Sequence, residues 1–111
     1  MSASKEFVEY VLELLEPLGG VRTSRMFGGV LLKVEGKQLG VLFGDTVYFK
    51  VTDIDLQKQF KADGSEQFSY TRKDKKDPVI IKNWWSVPDK AMDSSDELVE
   101  LAEKVLEQEN A

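Results

Sequence analysis

Apolar residues recur at three- and four-residue spacing near both ends of the chain and alternate with polar ones in between. Phe7, Tyr10, Val11, Leu14, Leu15 and Leu18 mark one face of a helix, with Ser4 placed to cap it and Glu6 in its first turn. Val8 and Leu12 widen that face, enough to cover a sheet and to meet a partner as well. Pro17 and then Gly19-Gly20 end the helix. A meander follows. Val30–Val34 reads as a strand, Glu35-Gly36-Lys37 as a tight turn, and Leu39–Phe43 as the return strand with Leu39, Val41 and Phe43 on one side. Gly44-Asp45 makes a second hairpin turn into Thr46–Val51, with Val47, Phe49 and Val51 inward and Tyr48 and Lys50 outward. Such short turns force antiparallel neighbours.

Thr52 or Asp53 then caps a shorter helix reaching about Asp63, with Leu56 and Phe60 spaced to face a core and Gly64 as its stop. Glu66–Arg72 reads as a strand with Phe68, Tyr70 and Arg72 on one side. The run Arg72–Pro78, four bases and two acids, reads as a charged turn. Val79–Val87 is a fifth strand, stopped by Pro88. Ser94-x-x-Glu97 is a capping box, and Leu98, Leu101, Ala102, Val105 and Leu106 stripe the final helix. The pattern predicts an α+β domain over 1–111, a two-layer sandwich of order α-β-β-β-α-β-β-α. Its sheet is antiparallel, with one face buried by helices and the other more open.

Composition narrows the chemistry. The 111 residues contain no histidine and no cysteine, so the commonest general base, the commonest metal ligand and every thiolate are missing. The glycines form neither G-x-G-x-x-G nor a phosphate-binding loop. Asp45, Asp53, Asp55 and Glu66 are the candidate acids and bases. Asp53 and Asp55 suit a helix start, and Ser24 beside Arg25 has no basic partner. The expectation is a protein that is not an enzyme, with no cofactor and no metal. No apolar run approaches the roughly 20 residues that span a bilayer, and the polar, acidic start does not resemble a signal peptide. A cytoplasmic protein with no membrane contact is expected.

The net charge of −5 is unevenly spread. Residues 1–16 carry one base against four acids, and residues 93–111 one base against seven acids, so the middle is net basic. A pI near 4.8 disfavours a domain that grips a phosphate backbone unaided.

The most distinctive stretch is Arg22-Thr23-Ser24-Arg25-Met26-Phe27-Gly28-Gly29, between the first helix and the first clear strand. It joins two arginine forks to an apolar pair and two glycines. Gly28-Gly29 also has a purely structural reading, a bulge or bend at the start of a strand. With Tyr48 and the pair Trp84-Trp85 it supplies the candidate interaction surface: Arg22, Arg25, Met26, Phe27, Gly28, Gly29, Tyr48, Trp84 and Trp85. Strand side chains alternate, so one tryptophan of the pair points inward and the other outward. Arg22, Arg25 and the outward aromatic are expected to form one surface for a protein partner or a second copy.

The arginine-rich approach to Met26-Phe27-Gly28-Gly29 resembles the N-terminal domain of the TfoX/Sxy family. So do Val47-Tyr48-Phe49-Lys50-Val51, the junction Gly64-Ser65-Glu66-Gln67-Phe68-Ser69-Tyr70, and the aromatic pair before Val87-Pro88. The resemblance spans about residues 5–107. It implies a bacterial cytoplasmic domain related to regulators of natural competence, with a fold like that of type III secretion chaperones. Full-length regulators of that family add a C-terminal helical domain, so the chain is read either as a stand-alone relative of the first domain or as that domain cut from a longer protein. The function expected from the resemblance is regulatory and non-enzymatic, through a protein partner such as the transcription machinery. A small acidic chaperone-like homodimer holding an extended peptide is the alternative, and direct nucleic-acid binding a weaker one.

Overall fold

The computed structural model describes residues 4–26, 29–70 and 79–109. The first helix, α1 (Lys5–Leu14), starts on Ser4, whose Oγ accepts from the Phe7 amide at 3.1 Å. A 3-10 turn over Glu16–Leu18 takes Pro17 at its start, and Gly19 and Gly20 leave it with φ of 77° and 70°, backbone that glycine adopts freely. Four strands follow: β1 (Val21–Met26), β2 (Gly29–Val34), β3 (Lys37–Phe43) and β4 (Thr46–Lys50). Helix α2 (Ile54–Ala62) is capped by Asp53, whose Oδ2 accepts from the Leu56 amide at 3.0 Å. Strands β5 (Gln67–Tyr70) and β6 (Val79–Ser86), the one-turn helix α3 (Asp89–Met92) and the long α4 (Ser95–Glu109) complete the chain.

The α+β class and the antiparallel sheet are as the pattern predicts. Two elements are added to the expected order. The stretch opening with Arg22 is itself a strand, β1, paired along its length with β2 from Val21↔Val34 to Met26↔Gly29. It hides from pattern reading because Arg22, Thr23, Ser24 and Arg25 are all exposed, so no apolar alternation marks it. The second addition is α3, a single turn that buries only Ala91. Among the described residues six strands run in the order β1-β2-β3-β4-β6-β5, and each described pairing is antiparallel. The charged turn expected over Arg72–Pro78, and the end of the strand leading into it, lie outside the described residues.

One face of the sheet is covered by helices. Leu32, Leu39, Leu42, Val47, Phe49, Val51, Trp85 and Val87 pack there against Val11, Leu15, Leu56, Phe60, Leu98, Ala102 and Val105. Phe49 and Phe60 are the largest side chains fully enclosed, each worth about 2–3 kcal/mol of apolar burial. Helix α4 lies on β3 and β4, α2 meets β6, and α1 leans on α4. Two side chains fix α1 in place: Tyr10 Oη donates to the Met92 carbonyl at 2.7 Å, and Ser95 Oγ donates to the Leu14 carbonyl at 2.6 Å.

A β-bulge decides which residues of β3 face the helices. Leu32 pairs with Gly40, but the next residue, Lys33, pairs with Gln38, leaving Leu39 as the extra residue. Leu39 therefore joins the helix-side core with Leu42, while Val41 and Phe43 take the opposite face. The single-sided expectation for Leu39, Val41 and Phe43 is corrected by that one inserted residue.

The far end of α4 is fastened by Gln108. Its Oε1 accepts from the amides of Thr52 and Asp53, both at 2.9 Å, and its Nε2 donates to the Lys50 carbonyl at 2.5 Å. This clamp holds the β4–α2 junction against the helix layer. Gln108→Ala should lower stability by about 1–3 kcal/mol, measured as a reduced urea midpoint with unchanged m-value; an unchanged midpoint would show that the clamp is ornamental.

Candidate functional site: the open face of the sheet

The face away from the helices follows from strand alternation and register. It receives Arg22 and Ser24 from β1, Leu31 and Lys33 from β2, Val41 and Phe43 from β3, Tyr48 and Lys50 from β4, and Trp84 and Ser86 from β6. Leu31 and Val41 are buried on this side, outside the helix-side core. Phe43, Tyr48, Phe68 and Trp84 are half-buried. The Phe43 and Phe68 rings stack at 4.7 Å with 19° between planes, and Tyr48 meets Phe68 edge-on at 4.9 Å. In a flat sheet β3 and β5 would stand about 14 Å apart, three strand spacings. The ring contact therefore requires the sheet to curl, folding β5 over the open face. The register break between Gln67 and Phe68 is where β5 departs from regular pairing.

Gly29 serves this cluster by what it lacks. A Cβ there would lie 2.6 Å from the Leu42 carbonyl oxygen and 2.8 Å from Cε1 of Phe43. The Phe43 ring occupies the space a side chain at Gly29 would need. Glycine is thus required here by close approach, and its φ is ordinary, so the bend in the structural reading is not what selects it.

Register sorts the face into rows. Arg22 lies opposite Lys33, and Lys50 lies opposite Trp84, toward one end of the sheet. Leu31, Val41 and Tyr48 form the middle row, and Phe43 and Thr46 the far end. Burial pushes the Tyr48 phenol above its ordinary value of 10.0; a hydrogen bond with Thr46 opposes the rise, and the carboxylates of Glu66 and Asp45 add to it. Tyr48 also borders a polar cleft of about 490 Å³ lined by Asp63, Glu66, Ser86, Asp89 and Lys90. Lys90 Nζ sits 3.2 Å from Asp63 Oδ1 there, and Ser65 Oγ, in a buried residue, donates to the Ser86 carbonyl at 2.6 Å. Among the described residues no group of three or more acidic, histidine or cysteine side chains could hold a metal ion.

The expected surface is only partly assembled. Tyr48, Trp84 and Arg22 share the open face. Trp85 is the inward tryptophan, 8% exposed, with its Nε1 lacking a hydrogen-bond partner. Arg25 pairs with Val30, which packs on the helix-side core, so Arg25 projects to the helix side of β1 and not with Arg22. Arg22 and Trp84 stand four strand spacings apart, about 19 Å in a flat sheet, too far for one compact site. Met26 ends β1 opposite Gly29, and Phe27 and Gly28 lie outside the described residues. Sequence reading missed Phe43 and Phe68. Their separation along the chain carries no signal, since their meeting depends on the curl of the sheet.

The described residues form a small α+β domain with helices on one side of the sheet and an aromatic, partly basic face on the other. The match of residues 13–109 to the family model of the TfoX N-terminal domain covers most of the chain, and the chain belongs to that family. At the level of the family, it is a competence-related regulatory domain. A comparison with curated proteins found no match. No described helix is long and apolar enough to cross a membrane.

Two consequences of the site can be measured. Gly29→Ala forces the Phe43 ring or the β3 carbonyl to move and should cost about 1–3 kcal/mol; trimming the ring with Phe43→Leu in the same chain should recover part of it. Equal losses in the single and double variants would break the link between Gly29 and the ring. For Tyr48, the raised folded value means that the phenol's contribution to stability is complete below pH 10 and is lost as pH rises above it. Tyr48→Phe should therefore lose less stability than the parent between pH 9 and about 11, read from urea midpoints across that range.

Proposed function

We propose that the chain is a non-enzymatic regulatory domain of the bacterial cytoplasm that acts in competence regulation by holding a protein partner on its open sheet face. The observation that carries this reading is the half-buried aromatic group Phe43, Tyr48, Phe68 and Trp84 on the face that no described helix covers. Aromatic side chains at the margin of burial give an interface large contact area at low entropic cost, and they dominate binding energy where they are enclosed by a partner. The low pI speaks against unaided nucleic-acid binding. The missing histidine and cysteine, and the structural employment of Asp53 as a helix cap, speak against catalysis. A partner in the transcription machinery would connect the domain to gene regulation. A second reading, a chaperone-like dimer that holds extended peptide, draws on the exposed edge strand β1.

Light scattering with and without a DNA duplex at low salt, followed by affinity capture with the parent and with Tyr48→Ala and Trp84→Ala, tests the choice. The expected outcome is a mass indifferent to DNA and one defined protein captured by the parent, reduced at least tenfold for each variant. A salt-sensitive shift with DNA would overturn the protein-partner reading. A dimer that captures many unfolded segments would replace it with the chaperone-like one.

A further inference from the structure

Strand β1 closes the sheet on one side, and its four central residues, Arg22 to Arg25, are all exposed. A terminal antiparallel strand turns half of its backbone N–H and C=O groups away from its neighbour, and nothing in the described residues bonds those of Arg22 to Arg25.

Charge gives this edge a sign. Arg22 and Lys33 are directly opposed in register on the open face, both exposed. Like charges so placed on neighbouring strands destabilise the pair. Neither forms an ion pair with an acidic side chain among the described residues. A local conflict of this kind, left standing in an otherwise consistent fold, marks a place where an anionic group belongs.

We propose that β1 accepts an extended acidic segment of a protein partner as an added strand, with one carboxylate beside Arg22 and Lys33. This rests on the protein-partner reading above and names the chemistry of the partner. Arg22 and Arg25 project to opposite faces, so two carboxylates three positions apart in the added strand, which also project to opposite faces, meet one arginine each. A second copy of this chain does not fit as the occupant. Symmetric pairing of two β1 strands would gather four guanidinium groups with no carboxylate among them, and six-residue strands offer no side chain to neutralise them.

The probe is a capped octapeptide of alternating threonine and valine with glutamates at two positions three apart. Its controls are the same peptide with lysines for glutamates and the same peptide N-methylated at alternate amides. Binding is followed by calorimetry and by hydrogen exchange of the β1 amides, with Arg22→Glu as the test variant, an exposed change that leaves the core untouched. The expected result is saturable, salt-sensitive binding of the acidic peptide with slower exchange in β1. Arg22→Glu should weaken it at least tenfold and bind the lysine peptide instead. Equal binding of the N-methylated peptide would overturn strand addition, as would unprotected β1 amides. Concentration-dependent dimerisation that protects β1 would give the edge to a second copy, and displacement of the peptide by a single-stranded oligonucleotide would give it to nucleic acid; either overturns the proposal. Capture of the defined partner that is lost with Tyr48→Ala and Trp84→Ala but indifferent to Arg22→Glu would sink strand addition and leave the protein-partner reading standing.

Discussion

The extra residue in β3 is the constraint on which the two faces of the sheet depend. Leu39 is unpaired between the registers Leu32↔Gly40 and Lys33↔Gln38, and it drops into the helix-side core beside Leu42. In a strictly alternating strand, Leu39 would share a side with Val41 and Phe43. The bulge lets β3 give both leucines to the helices while still sending Val41 and Phe43 the other way. Phe43 on the open face is what Phe68 stacks on, and Phe68 in turn meets Tyr48. One inserted residue thus supplies the helix layer and the aromatic group together. Gly29 and Gly40 belong to the same arrangement. A Cβ on Gly29 would collide with the Phe43 ring, and one on Gly40 with the Tyr48 carbonyl, so β2, β3 and β4 approach at positions where only glycine fits.

The helix layer answers to a different constraint, the need to fix exposed, acidic helices on a core they cover on one side only. Side-chain to backbone hydrogen bonds do this at both ends of the layer. Tyr10 and Ser95 tie α1 to the α3–α4 region, and Gln108 ties the last turn of α4 to the strand-to-helix junction at Lys50, Thr52 and Asp53. These contacts join residues more than 50 positions apart, where hydrophobic packing alone would allow α4 to slide along its stripe. Packing selects the face of each helix, and these directional bonds select its position along the axis.

Much of the architecture is legible in the sequence because burial on one face writes itself as period. The stripes in α1 and α4 and the alternation of Val47, Phe49 and Val51 in β4 are direct records of a one-sided core. The hidden parts are those where burial is not the cause. Strand β1 exists because its backbone pairs with β2, and backbone pairing leaves no trace in side-chain polarity. The bulge at Leu39 adds one residue to a run that is apolar throughout, so parity cannot be counted from composition. The division of Trp84 and Trp85 was readable as an alternation, yet which one turns inward depends on register with Phe49, a long-range fact. The candidate site shows the same split. Tyr48 was nameable as an outward aromatic and one of the two tryptophans as another, whereas Phe43 and Phe68 join them only through the curl of the sheet.

That split bears on how Arg22 and Arg25 act. As a pair in the sequence they look like one cationic element, and strand geometry divides them between two faces. Arginines on an edge strand serve, at minimum, to keep the edge from pairing with copies of itself, since each new strand brings its own guanidinium groups. The same property that repels a second copy selects for a segment of opposite charge. An edge with arginines on both faces is therefore both protected and addressed, and the in-register Arg22–Lys33 pair, in no ion pair with an acidic side chain among the described residues, strengthens the second aspect on the open face. The aromatic group and the basic edge then stand as two parts of one face, the first offering contact area and the second direction and charge.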